Sequence, residues 1–484
     1  MRKFPLTSNP MVAKSAAVMC FAALLLAMTV GGSTAHNAPQ GACANPPSVV
    51  ITSPQVPGDV CIPNGFPGNP IQFFDDFSWR SFIALVWPAQ QGQRGTPDTG
   101  QTVNGTGARV FETYKSSWEI FHRDGSAPAA WNTYDAAQFN ACNQSVQFGD
   151  LMLASFSKFD DIGQADLGTL VGPLVAQNMT YTRYLTGFNQ TEFDQINNNK
   201  WYLRANLGTT ANPLVFQDGA IDIKSAWIDM TNIGHPERYH TRTAWVMDPD
   251  SGLCSQKTIG LVGIHIVQKT PSRPQWIWSS FEQIDNIPQT GAQAPFAFHD
   301  VGPTPSPMPP NNPIEFPPPG VPPLKFNVQR LKPIHPSTQQ TNAAYRAALA
   351  QQNSVWQFYQ LVMTQWPVPG DAPANPGTPN FTFPGAGATT AFANLTMETF
   401  DQTRIQTGCM NCHNATKAKS DFLWVLNTHA FDPSGTMLLR DPAFRSLKQL
   451  LEVHRDDEVQ TMSRMMRSIQ PSTPRPARRR RRNR

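Results

Sequence analysis

Between Pro303 and Pro336 the chain carries 13 prolines in 34 residues. No such stretch can be helical, because each ring removes a backbone donor and clashes with the preceding turn. It is expected to run extended, as a stiff linker or a strap over the surface. Across the chain 45 of 484 residues are proline and 32 are glycine, which argues against an all-helical bundle. The 12 tryptophans, 8 tyrosines and 29 phenylalanines supply enough large side chains for a sizeable core, so a wholly disordered chain is excluded as well. The length suits two domains with linkers.

Patterning divides what remains. Phe74, Phe77, Phe82, Leu85 and Val86 predict a largely buried helix ended by Pro88. Phe111, Tyr114, Trp118 and Phe121 share one helical face, which predicts a second helix over Val110 to His122. Residues 239–284 are the most strand-like. Tyr239 to Met247, Thr258 to Gln268 and Gln275 to Phe281 are rich in β-branched and aromatic residues, and Asp248-Pro249-Asp250-Ser251-Gly252 is turn chemistry. Strands with short breaks and no helix between them predict antiparallel pairing. A stripe from Tyr345 through Trp356 and Tyr359 to Trp366 predicts a helix stopped by Pro367. A last ordered unit begins near Asn394, a residue suited to an N-cap. No G-x-G-x-x-G or phosphate-binding loop occurs, so no nucleotide fold is indicated.

The two ends differ from the body. Arg2, Lys3 and Lys14 precede an unbroken apolar run from Ala16 to Met28, and Ser33-Thr34-Ala35 offers small residues for cleavage. This reads as an export signal cut after Ala35, too short to span a bilayer. Without residues 1–35 and the seven arginines at 475–484, the body holds 28 basic against 34 acidic residues. The basic pI therefore belongs to the ends, and the body is not expected to bind nucleic acid. The tail reads as solvated, with an acidic partner or anionic lipid as its alternative contact.

Cysteines carry the chemistry. Cys20 leaves with the signal. Cys43, Cys61, Cys142 and Cys254 are scattered, as expected of two disulfides in an exported chain. Three pairings are possible; Cys43–Cys61, closing a short loop, with Cys142–Cys254 is favoured over the others and over free buried thiols. Residues 409–413 read Cys-Met-Asn-Cys-His, the C-x-x-C-H pattern of covalent c-type haem attachment. Two thiols at this spacing reach the two vinyl groups of one porphyrin edge, and His413 can present its imidazole to the iron. A thioredoxin-like motif would sit in a βαβ context, which is not visible. A zinc site lacks a fourth ligand nearby, since no second C-x-x-C exists and His235 and His240 lie far upstream.

The ligand opposite His413 is left open. Met437, Met462, Met465, Met466, His429 and His454 lie downstream. A residue of the upstream domain, or an empty position, is the alternative. His265 interrupts the apolar strand Leu261 to Val267 and reads first as a hydrogen-bonded core residue, with the haem or a substrate pocket as its other destination. His235, Glu237, Arg238, His240 and Arg242 read as a solvated loop before they read as the rim of such a pocket.

Several segments resemble a group of bacterial proteins known only as cytochrome c family proteins. They are Phe77 to Leu85, Tyr239-His240-Thr241-Arg242, Gly260 to Trp278, Phe281-Glu282, Met397-Glu398-Thr399 and the motif at Cys409 to His413. The resemblance spans roughly residues 70–425. It implies haem binding and electron transfer, a motif near the C-terminus and an Asp-Phe pair soon after, here Asp421-Phe422. The stretch from Asp432 to Arg484 departs from the group, which favours a distal ligand from upstream or none. The expected fold class is α+β, a large domain with an antiparallel sheet and flanking helices followed by a small, mostly helical cytochrome c-like haem segment. Its parts are a signal peptide at 1–35, a disulfide-held arm at 36–70 and the large domain at 71–302. The proline-rich linker at 303–337 and a helix and loop at 338–392 follow, then the haem segment at 393–470 and the basic tail at 471–484. The expected product is a periplasmic protein with one covalent haem c, held by Cys409, Cys412 and His413, that passes electrons between redox partner proteins without a membrane span. The alternatives are a peroxidase- or oxidase-like haem enzyme acting on a small substrate held by the large domain, and a haem sensor.

Overall fold

Eight strands form one curled sheet: β1 (Lys115–Ser116), β2 (Leu151–Leu153), β3 (Arg183–Phe188), β4 (Ile221–Asp229), β5 (Thr241–Met247), β6 (Cys254–Thr270), β7 (Arg273–Gln283) and β8 (Tyr359–Gln365). In this computed structural model the described residues are 43–433 except 123, 135–141, 143–146, 154–172, 249–252, 303–308, 313–321, 323, 325, 367–392, 403–408, 410–412 and 414–415. The export signal, the arginine tail, Cys412, Met437, His454, Met462, Met465 and Met466 lie outside the described residues. Six helices accompany the sheet among them: α1 (Ile71–Leu85), α2 (Ser117–Ile120), α3 (Gln190–Asn198), α4 (Pro336–Ala350), α5 (Lys417–Ser420) and α6 (Trp424–His429). The class is α+β.

Strand β6 organises the sheet. Its 17 residues are long enough to pair with β5 over the first half and with β7 over the second, while β4 runs along the other edge. The antiparallel expectation needs one correction: β2 joins β5 in parallel, so the sheet is mixed. A parallel neighbour requires a long connection, and β3 and β4 lie between these two strands in sequence.

A bulge at Val262 decides which side chains face where. Ile259 and Leu261 before it, and Ile264 and Ile266 after it, belong to one apolar cluster with α1. One inserted residue changes the parity of the alternation, so the even-numbered isoleucines continue the apolar face that the odd-numbered residues began. His265 is thereby turned to the opposite face. On the α1 side, Phe82 stacks on Phe281 at 4.4 Å and Trp79 on Tyr345 of α4 at 5.0 Å. Removing either ring should cost about 3–5 kcal/mol.

The same packing buries an acid. Asp75 of α1 accepts hydrogen bonds from the hydroxyls of Thr338 and Thr364, at 2.7 and 2.9 Å. Burial pushes its carboxyl up from 3.8 to about 7, although both hydroxyls work the other way. A raised folded-state pKa means that Asp75 contributes stability fully below pH 3.8, and that this is lost as pH rises to about 7. Asp75→Asn should therefore flatten the decline of stability between those limits, by at most about 4 kcal/mol. Urea unfolding at a series of pH values checks this; parallel curves for the two proteins would refute it.

Two predicted helices are corrected. Val110 to His122 is a 3₁₀ turn (Phe111–Thr113), then β1, then the single turn of α2. Lys115 and Ser116 pair with β3, and Ser116 with Glu119 forms a capping box that restarts the chain as a helix. The stripe from Tyr345 to Trp366 is α4 followed by β8. Asn353 takes a left-handed turn at φ 52°, after which Tyr359 to Gln365 completes the edge offered by β7. Asn394, expected to cap a helix, instead opens a turn, its side chain accepting from the Thr396 N–H at 2.9 Å.

The Pro-rich stretch and the N-terminal arm are both tied to the body. Phe326 and Val328 are buried in the cluster on the second sheet face, and the Val328 N–H donates to the Phe298 carbonyl at 2.8 Å. The arm carries the Cys43–Cys61 disulfide, and its Asp59 accepts from Ser272 at the β6–β7 turn. Cys142–Cys254 closes a loop across 112 residues, worth about 4–5 kcal/mol in loop-closure entropy. No described helix is long and apolar enough to cross a membrane.

Candidate functional site

The second face of the sheet carries an unusual row. Lys224 on β4, His265 on β6, Ser280 on β7 and Met363 on β8 stand opposite one another on four adjacent strands, roughly 4.8 Å apart from strand to strand. Trp278 is two residues along β7 from Ser280 and so shares this face. Two parts of the C-terminal stretch, residues 394–396 and His413, meet it. Gly263 marks the first contact: a Cβ there would lie 2.2 Å from Oγ1 of Thr396, so only glycine lets residues 394–396 settle on the strand. At the other end the His413 ring packs edge-on to Trp278, with centroids 4.5 Å apart.

His413 is held by one backbone hydrogen bond. Its Nδ1 lies 2.7 Å from the carbonyl oxygen of Phe422. A carbonyl only accepts, so Nδ1 carries the proton. Burial pushes the imidazole down to about 4; the bond to Phe422 opposes this, and nearby His265 and Lys224 add to it. The ring is therefore neutral at ordinary pH. A neutral ring protonated at Nδ1 holds a lone pair at Nε2, the state of a metal-ligating imidazole whose orientation a backbone carbonyl fixes.

The carbonyl is itself held in place. Asp421 and Phe422 both sit in the left-handed region, at φ 49° and 74°, which costs about 1–2 kcal/mol per residue outside glycine. What over-determines this turn is Asp421. Its carboxylate pairs with Lys269 and accepts from the Phe216 N–H at 2.9 Å, and its carbonyl accepts from Trp276 Nε1 at 3.0 Å. Burial raises the Asp421 carboxyl in spite of Lys269. Gly208 allows α5 to approach, since a Cβ there would lie 2.1 Å from the Ala418 carbonyl.

Cys409 is a free, partly buried thiol packed with the cluster of Ile334, Val362 and Met363. Burial and the nearby Glu398 carboxylate push its pKa up. A redox-active thiol of the thioredoxin kind needs the opposite shift. Glu398 also faces His265: Oε1 lies 3.4 Å from Nε2, within ion-pair reach. His265 Nε2 is thus buried against that carboxylate. The core histidine that the strand pattern suggests thus finds its partner in a carboxylate remote in the chain. Burial raises Glu398, but His265 and Lys224 outweigh it and leave the carboxyl below its usual range.

The other sequence candidates fall elsewhere. His429 on α6 donates from Nδ1 to the Val425 carbonyl at 3.1 Å and lies against Phe121. The polar run expected as a solvated loop divides. Glu237 is exposed, whereas Arg238 forms a bidentate pair with Asp285 at 2.5 and 2.8 Å. His240 and Arg242 both reach the buried Glu112, each at 2.6 Å. Glu112 carried no signal in the sequence, because its partners are distant in the chain. Phe422 and Glu398 entered only through the resemblance, and Trp278 as a strand residue at the end of a resembling segment; none was expected to face His413 or Cys409.

Among the described residues no three His, Cys, Asp or Glu side chains converge as ligands of a bare metal ion. A cleft of about 370 Å³ near Ile51, Trp87 and Gln101 has no ionisable group in its lining. Compared with protein-family models, curated proteins and solved structures, the chain finds no match.

Proposed function

We propose that this chain is an exported c-type cytochrome that carries one haem, joined by thioethers to Cys409 and Cys412, with His413 as its proximal ligand. The observation that carries the reading is the fixed tautomer of His413, whose Nε2 lone pair is released by the Nδ1 bond to Phe422. The surrounding residues fit such a group. Trp278 offers an apolar ring beside His413, and Cys409 is free. A haem bound there supplies a one-electron couple. The residues around it orient the imidazole, keep it neutral and shield it from water. The haem segment is then the one expected over 393–470, and the function is electron transfer between redox partner proteins in the periplasm. The two disulfides and the export signal agree with that compartment.

The test is expression of the full chain, with its N-terminal segment, in a host that matures c-type cytochromes. The expected product is periplasmic, heavier than the polypeptide by one haem, stained for haem after denaturing electrophoresis, and reversibly reduced by one electron. A periplasmic product without covalent haem would overturn the reading.

A further inference from the structure

We infer that Glu192 of α3 is a proton-binding site beside the clamp that holds the Phe422 carbonyl, and that it takes up one proton for each electron received at the His413 site. The inference rests on the haem c reading above and adds to it a proton that the motif does not require. Glu192 is fully buried, and neither of its side-chain oxygens has a hydrogen-bond partner among the described residues. Backbone bonds fix what surrounds it. The Glu192 and Ile221 N–H groups both donate to Asn189 Oδ1, at 3.0 and 3.1 Å, which brings Asp222 at the start of β4 beside α3. The Gln217 N–H donates to Gln195 Oε1 of α3 at 2.8 Å, and the adjacent Phe216 N–H donates to Asp421 at 2.9 Å. The charged groups that reach Glu192 are thus Asp222, Asp421 and Lys269, and Glu192 in turn acts on Tyr114, just before β1. The one cation among them, Lys269, is already bonded to Asp421. An ionised Glu192 would be a buried charge beside two carboxylates and without a hydrogen bond, which the interior strongly opposes. The neutral acid is therefore its resting form.

The proton has a source, and its loss has a consequence. Asp222 is 8% exposed. Burial pushes its carboxyl up to about 7, although Lys224 opposes this, so it exchanges protons with water near neutral pH and can hand them to Glu192. Once ionised, Glu192 competes with Asp421 for Lys269, and Asp421 holds the turn whose Phe422 carbonyl fixes His413. Proton and electron are then linked in both directions. An electron arrives from the redox partner, a proton from water forms the O–H bond of the Glu192 carboxyl, and the two charges cancel within the protein. Added negative charge favours the protonated acid, so the potential is higher when Glu192 carries its proton and falls as pH rises.

The experiment uses the full chain matured with haem. Reduction potentials are measured at a series of pH values for the wild type, Glu192→Gln and Glu192→Asp. The wild-type potential should fall with pH through the range in which Glu192 ionises, with a limiting slope of about 59 mV per pH unit for one proton per electron. Glu192→Gln keeps the shape of the neutral acid and should abolish that fall. Glu192→Asp should retain it, displaced along the pH axis. Within the same pH range, infrared difference spectra between the oxidised and reduced protein should show a protonated-carboxyl band that moves in deuterium oxide and is missing from Glu192→Gln. A wild-type potential independent of pH overturns the inference, and so does a Glu192→Gln variant that keeps the wild-type slope. If the variants fail to mature, the wild type alone decides, because a redox difference spectrum without a carboxyl band overturns the inference as well. Haem staining of the same samples separates the two levels: a stained protein with a pH-independent potential rejects only the role of Glu192, whereas an unstained one rejects the haem assignment.

Discussion

Replacing Cys409 and Cys412 together by alanine should abolish covalent haem completely, so that denaturing electrophoresis of periplasmic material shows a full-length band with no haem stain. Each thioether forms at one thiol, and with both removed only the His413 contact and apolar packing would hold the cofactor. Neither survives denaturation. Each single variant should keep a reduced yield, since one thioether suffices to retain the group. The disulfides provide an internal control. Cys43–Cys61 and Cys142–Cys254 use none of these sulfurs, so the double variant should remain fully oxidised at those four positions, as mass spectrometry under non-reducing conditions would show. A haem-stained double variant would remove the basis of the functional reading.

Alanine at Asp421 should destabilise the protein by about 3 kcal/mol, at the lower end of the cost of breaking a buried ion pair. Lys269, with a side chain 3% exposed, would lose its contact, and the Phe216 N–H would lose its acceptor. The left-handed backbone at φ 49° would also lose a residue type that tolerates it. The loss is tempered by Glu192. This buried acid lies close enough to Asp421 and Lys269 for both to influence it, and burial together with Asp222 and Asp421 holds it well above its usual pKa. With Asp421 gone, Glu192 ionises more readily and takes over part of the pairing. Because Asp421 positions the Phe422 carbonyl, the variant should also alter the haem spectrum. Asp421→Asn should keep the backbone but still leave Lys269 uncompensated. Combining Asp421→Asn with Lys269→Met should recover much of the stability. Denaturant unfolding followed by far-ultraviolet circular dichroism and by haem absorbance measures both effects; a variant within about 0.5 kcal/mol of wild type, the range of ordinary surface changes, would show that this pair does not anchor the turn.

The amino-acid sequence alone determined the parts whose cause is local. The aromatic spacing before Pro88 specifies α1, and the β-branched runs with their turn specify β5, β6 and β7. Cys409 to His413 is a contiguous motif, and the short loop favours Cys43–Cys61 among three possible pairings, which the structure then decides. Tertiary structure decided whatever depends on a partner remote in the chain. Tyr359 to Gln365 has apolar side chains at helical and strand spacing alike, and only the free edge of β7 makes it a strand. Lys115 and Ser116 leave the helical pattern because β3 offers them a ladder. His240 and Arg242 belong to a buried network because Glu112 arrives from far upstream. The tautomer of His413 depends on a carbonyl nine residues away, brought to it by a turn that Lys269 of the sheet secures. His265 faces that site for a similar reason: the bulge at Val262 shifts the alternation of β6 by one residue, and no periodicity within the strand reveals on which face a single histidine will emerge.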